Sequence, residues 1–199
     1  MATVVHPHVH ADEFEMLQEN AGWTLDMELI AGEAVVVPPI GEQASSTQGE
    51  LYLALRRWQA DTADEGVLLQ DVFVALPGEN RPAPDISWWS AEHPPPPPLR
   101  ALDRAKRRIP DVVIEVLSPS TRANDLGVKR EMYMRSGVRE LWLVDPDART
   151  VTRVRPDAAP DEVLGEGSTL TSELLEGFAI DVARIFVFPF PVSPADGGS

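Results

Sequence analysis

The sequence predicts a single α/β domain. Three observations carry this. Short β-rich runs alternate with segments of helical periodicity along the 199 residues. That length suits one domain with tails. Asp111–Leu117 is a near-continuous apolar run, the pattern of a buried strand.

The elements follow in chain order. Residues 1–11 read as a flexible N-terminal tail; their HPHVH motif is a weak metal-binding pattern or simply the end of the chain. Ala11–Asn20 reads as a short amphipathic helix, with Phe14 and Leu17 on one side. Thr24–Ile30 and Glu33–Val37, separated by Ala31-Gly32, predict a β-hairpin. Pro38-Pro39 stops its second strand. Glu42 to about Ala60 predicts a helix, because Leu51, Leu55 and Trp58 recur at helical spacing. Val67–Leu76 and Asp85–Trp89 read as strands. Pro94–Pro98 forms a polyproline-type loop, and a basic segment, Arg100–Arg108, follows. After the Asp111–Leu117 strand and a Ser-Pro-Ser-Thr turn, Asp125 is read as the N-cap of a helix that Gly137 closes. Arg139–Asp145 and Thr150–Arg155 predict a hairpin pair. A strand at Thr169–Thr171 and a short helix at Asp181–Phe186 complete a domain spanning 12–190, and 191–199 reads as a disordered tail.

Composition excludes several function classes. There is no cysteine, hence no disulfide, no thiolate nucleophile and no Cys-based zinc site. The longest apolar runs, such as Ala34–Val37, fall far short of the roughly 20 residues that span a bilayer. The N-terminus lacks a basic region followed by an apolar one. A cytoplasmic protein is the simplest expectation. The net charge of −15 argues against a nucleic-acid partner at first. Yet Arg100–Arg139 holds ten basic and five acidic residues, a basic segment within an acidic chain. It is either ordinary solubilising charge or a local phosphate-binding face.

The chemistry centres on Glu115. A carboxylate inside an apolar strand is costly unless it is paired, metal-bound or at the exposed strand end. Asp85, opening another strand, is by itself a common turn residue. Together, two acids on neighbouring strands can share a hard cation, with the Val116 main-chain carbonyl as a third ligand. Lys129, one of two lysines in the chain, lies one turn after Asp125. It either faces the end of the sheet or forms an i,i+4 pair with Asp125 in solvent.

The block PDVVIEVLSPSTRANDLGVKREMYMRSGVRELWLVDP, Pro110–Pro146, closely resembles the core of the Uma-type family of bacterial restriction endonucleases. MELIAGEAVVVPP, Met27–Pro39, resembles that family's hairpin, and Ala83–Trp89 its "PD" strand. The resemblance runs from about Asp12 to Phe186. It implies a restriction-endonuclease-like PD-(D/E)xK fold: a mixed central sheet flanked by helices, with an N-terminal hairpin and a divalent-metal site. On that basis Asp85 and Glu115 match the motif acids. Leu117 stands where the superfamily lysine is usual, and Lys129 is the candidate replacement. Asp125 matches a family aspartate that would orient Lys129, and Glu33 matches the hairpin glutamate. A histidine common near the start of the long helix is missing; Ala44–Gln48 stand there.

Two functions follow as expectations. The first is a magnesium- or manganese-dependent endonuclease, acting on DNA as a homodimer. Arg100, Arg104, Lys106, Arg107, Arg108 and Arg122 would contact phosphates. The second is a catalytically inactive nuclease-fold protein serving as a binding or assembly module. No GxxxxGK[ST] phosphate loop and no GxSxG elbow is present, which argues against an ATPase or a serine hydrolase.

Overall fold

The computed structural model describes residues 3–6, 9–20, 27–94, 109–156 and 158–187. A six-stranded mixed sheet forms its centre. Its strands are β4 (Val67–Gln70), β5 (Ile86–Trp89), β6 (Val112–Val116), β7 (Glu140–Asp145), β8 (Thr150–Val154) and β9 (Glu162–Leu164), in that spatial order. Only β6 and β7 run parallel. Between them the chain crosses over through α3 (Arg122–Asn124), a π turn at Asp125–Lys129, and α4 (Arg130–Ser136).

Strand parity sorts the core into two layers. Ile86, Trp88, Val112, Ile114, Val116, Trp142 and Val144 face one side of the sheet. There they meet the stripe Leu51, Leu55 and Trp58 of α2 (Glu42–Thr62), and the C-terminal unit of β10 (Thr169–Thr171), β11 (Ala179–Asp181) and α5 (Val182–Ile185). Phe178 stacks on Trp142 with ring centroids 5.6 Å apart. On the other side, Val113, Leu141 and Leu143 pack against Met132 and Tyr133 of α4 and Ile30 of the hairpin. That hairpin, β2 (Met27–Ile30) and β3 (Glu33–Val36), turns at Ala31-Gly32, both at positive φ. It forms a separate three-stranded sheet with β1 (Thr3–His6). A reciprocal backbone pair between Leu29 and Arg81 ties it to the segment before β5.

The fold class is the one that the sequence predicts, with local differences. Residues 3–6, assigned to a tail, pair along β3, whose outer edge accepts the β-branched TVVH segment. The strand predicted over Val67–Leu76 ends at Gln70, because Asp71 turns the chain at φ +50°. In α1 (Ala11–Asn20) Gln18, not Leu17, joins Phe14 inside; Leu17 is exposed. Asp125 is not an N-cap, since helical structure begins at Arg122. The pairing strands β9 and β11 were not anticipated. Pro95–Pro98, Thr24–Asp26 and the 191–199 tail lie outside the described residues. Among those described, no helix is long and apolar enough to cross a membrane.

Gly66 marks the close approach of the α2–β4 connection to β5. A Cβ there would stand 2.4 Å from the Trp88 indole nitrogen and 2.7 Å from the Trp89 carbonyl oxygen. Gly66→Ala is expected to destabilise the fold by about 2 kcal/mol or more, through overpacking. Urea denaturation checks this; an unchanged midpoint would show that the loop moves aside freely.

Candidate active site

The pleat aims two acids at one place. Ile86 pairs with Ile114 in the antiparallel ladder, so Asp85, just before β5, falls opposite Glu115 on the same face. That face carries the hairpin and the π turn. Glu115 is 3% exposed, the one carboxylate in an otherwise apolar strand. The Val116 N–H donates to Asp85 Oδ2 at 2.5 Å, joining the two strands at the acids themselves.

The π turn supplies the counter-charge. Asp125 and Lys129, four residues apart, both face inward, while Leu126 and Val128 are exposed. Lys129 Nζ lies 2.8 Å from Glu115 Oε1, 3.2 Å from Glu28 Oε1 and 3.4 Å from Asp125 Oδ1. Lys129 is therefore a buried hub rather than half of a solvated pair. The Tyr133 hydroxyl donates to Glu115 Oε1 at 2.5 Å. Glu28 Oε1 also accepts the Ala83 N–H at 2.7 Å, which fastens β2 to the segment leading into Asp85. From the opposite layer, Gln48 Nε2 donates to Asp71 Oδ1 at 2.9 Å and to the Asp85 carbonyl at 3.1 Å.

Burial governs the protonation of these groups. It pushes Asp85 up to about 7, against the opposing pull of the Val116 N–H and Lys129; the charges of Asp125 and Asp71 add to the rise. Glu115 is raised well above the usual carboxylate range, first by burial and then by Asp125, Asp85 and Glu28, with Lys129 opposing. Burial likewise raises Asp125. For Lys129 burial alone favours loss of the proton, but Glu115 and Glu28 outweigh it and hold the ammonium above the ordinary lysine range.

Glu28, Asp85, Glu115, Asp125, Lys129 and Val116 line a cavity of about 70 Å³. A water occupies about 30 Å³ of liquid, so the space suits an ion with one or two waters. Among the described residues, no group of three or more His, Asp or Glu side chains is arranged to hold a metal ion. Their oxygens are engaged by Lys129, Tyr133 and backbone N–H groups instead. The donor chemistry nonetheless fits a hard divalent cation: four carboxylates face one ammonium in a space of its size.

The predicted residues divide accordingly. Asp85, Glu115, Val116, Asp125 and Lys129 come together. Glu33 does not: it is exposed next to the hairpin turn, and Glu28 of the same hairpin takes the place expected for it. Arg122 pairs with Asp145 at 2.5 Å, which engages the guanidinium assigned to phosphate. Asp145 is lowered, chiefly by that hydrogen bond. Arg100, Arg104, Lys106, Arg107 and Arg108 lie outside the described residues. Sequence reasoning missed Glu28, Tyr133 and Gln48. Glu28 carried a usable signal, an acid within the apolar run of β2.

A family model described as "Putative restriction endonuclease", Uma2, matches residues 11–183. No curated protein matches the chain. Among solved structures, a putative nuclease belonging to DUF820 from Anabaena variabilis superposes with a TM-score of 0.72 at 21% identity. The match covers 89% of this chain and 97% of that one, and at this identity it is a likeness of fold.

The raised Asp85 makes a stability prediction. Between the unfolded value near 3.8 and the folded value near 7, the native state keeps a proton that the unfolded chain has lost. Stability therefore falls as pH rises through that window. Asp85→Asn keeps an acceptor for the Val116 N–H and removes the charge. It is expected to stabilise the metal-free protein by about 2–4 kcal/mol at pH 8 and by much less at pH 5. Urea unfolding at both pH values checks this; a gain independent of pH would contradict it.

Proposed function

The chain belongs to the Uma2 family, described as "Putative restriction endonuclease", and from that premise we propose that it is a divalent-metal-dependent endonuclease of the PD-(D/E)xK type acting on DNA. The observation that carries this is the buried Glu115, opposite Asp85 and bound to Lys129, in a cavity lined by acids. A purely structural strand has no use for a carboxylate there, because burying it costs stability.

Asp85, Glu115 and the Val116 carbonyl would hold magnesium or manganese. When bound, such an ion supplies an acidified water and stabilises charge developing on the phosphate. Lys129 keeps its proton amid the carboxylates, so it offers a fixed positive charge to a phosphate oxygen or to the attacking water. Tyr133 holds the orientation of Glu115, and Glu28 and Asp125 hold that of Lys129. Gln48 braces the Asp85 backbone from the other layer. A homodimer would present two such sites to the two strands of a duplex, and DNA as substrate would place the protein in the cytoplasm. A second function, a non-catalytic nuclease-fold module, is favoured by one observation: Lys129 already pairs with Glu115, one of the two acids that would grip the ion.

Calorimetry with magnesium and manganese, alongside plasmid nicking at low salt, separates the two. Wild type is expected to bind metal and to nick. Asp85→Ala and Glu115→Ala should lose both. Metal affinity should fall as pH drops below about 7, where Asp85 takes up its proton. Lys129→Ala should keep metal binding and slow nicking by about 100-fold or more, as for loss of a charge-stabilising group. Wild type that neither binds metal nor nicks DNA would leave the module as the better account.

A further inference from the structure

A second cavity, of about 520 Å³, shares no lining residue with the first. It is an open groove between the outer face of α4 and the residues 154–156 and 158–161. Three arginines line it: Arg130 and Arg135 from α4, and Arg155 from just past the end of β8. In a chain of net charge −15, three guanidiniums around one groove stand against the field of the whole molecule.

These arginines are unequally satisfied. Arg130 donates to Asp161 at 2.7 Å, and Arg135 pairs with exposed Glu131 at 3.1 Å. Arg155 reaches Glu162 Oε2 only at 3.8 Å, and the Arg153 Nε already donates to that oxygen at 3.0 Å. The Nε of Arg155 is shielded from solvent and donates to nothing among the described residues. Among the described residues, Arg155 thus lacks the close acceptor that Arg130 and Arg135 have. Guanidinium forks match phosphate oxygens, as they do carboxylates, with paired hydrogen bonds.

We propose that this groove is a phosphate-binding site that anchors the backbone of a nucleic acid at a distance from the carboxylate cavity. This rests on the nuclease function proposed above and adds where the substrate is held. The acid-lined cavity repels a polyanion, and the one cation among its described lining residues, Lys129, is engaged by three carboxylates. Affinity must therefore come from elsewhere. Arg130 directly follows Lys129, so one helical segment sends successive side chains to the cavity and to the groove. The volume lies within the range of roughly 300–1,000 Å³ typical of small-ligand sites, enough for about one nucleotide.

The test is binding of a fluorescein-labelled duplex to the full chain, followed by anisotropy in EDTA at low salt. Arg130→Gln and Arg155→Gln are each expected to weaken binding about tenfold. Each should also lower the slope of log affinity against log salt by about one. Asp161→Asn releases Arg130 and removes a negative charge, so it should tighten binding. A role limited to pinning the loop gives no such gain, and melting curves confirm that each variant folds. Unchanged affinity and slope in the arginine variants would overturn the proposal. So would loss of inorganic phosphate binding in those variants with DNA affinity intact, which marks a site for free phosphate. Because no metal is present, the readout is independent of cleavage. Arginine-dependent binding by a protein that never nicks DNA would sustain the groove and sink the nuclease. Nicking with arginine-independent binding would do the reverse.

Discussion

Four carboxylates around one ammonium, out of water, are the constraint on which the rest of the structure depends. Glu28, Asp85, Glu115 and Asp125 come from β2, the approach to β5, β6 and the π turn. Their mutual repulsion would push those elements apart. Lys129 contacts three of them, and backbone N–H groups of Val116 and Ala83 hold Asp85 and Glu28. Keeping these acids out of water is a standing cost to stability, offset by apolar layers on both faces of the sheet. That cost is what the proposed cation would relieve.

The sheet does the aiming. An antiparallel β5–β6 ladder puts directly opposed residues on one face, so the register that buries Ile86 and Ile114 toward α2 sends Asp85 and Glu115 the other way. A slip of one residue would turn the acids toward the α2 layer and the core residues away from it. The parallel β6–β7 pair then requires a crossover, and the crossover is the segment that carries Asp125, Lys129 and Tyr133. Topology alone thus brings the cation to the face where the acids are. Within the crossover, the four-residue spacing of Asp125 and Lys129 puts both on the inward face.

Much of this was legible in the sequence, for identifiable reasons. Glu115 is visible because a charge interrupts an apolar strand. Asp85, Asp125 and Lys129 are visible through the resemblance to the family's motifs. Glu28 was passed over in favour of Glu33, since spacing within a hairpin does not say which acid faces inward; docking of the hairpin onto Arg81 decides it. Tyr133 looked like any core aromatic, because its hydroxyl partner is 18 residues away in sequence. The α4 groove was legible only in part: Arg130 and Arg135 fall within the basic Arg100–Arg139 segment, but nothing in the sequence joins them to Arg155. Arg155 meets α4 only through the fold, and a protein of net charge −15 hides a small basic patch in its average.

The bond between Glu28 and Lys129 spans 101 residues, and the Leu29–Arg81 backbone pair fastens one end of that span. Contacts so distant along the chain carry the largest loop-closure entropy and form after local structure has reduced it. During synthesis the hairpin exists long before the helix that completes the site. A nascent chain holding only the first hundred or so residues carries two of the acids and none of the lysine that balances them. Assembly of the cavity is thereby a check on completion: the groups become a site only when the crossover has closed over the sheet.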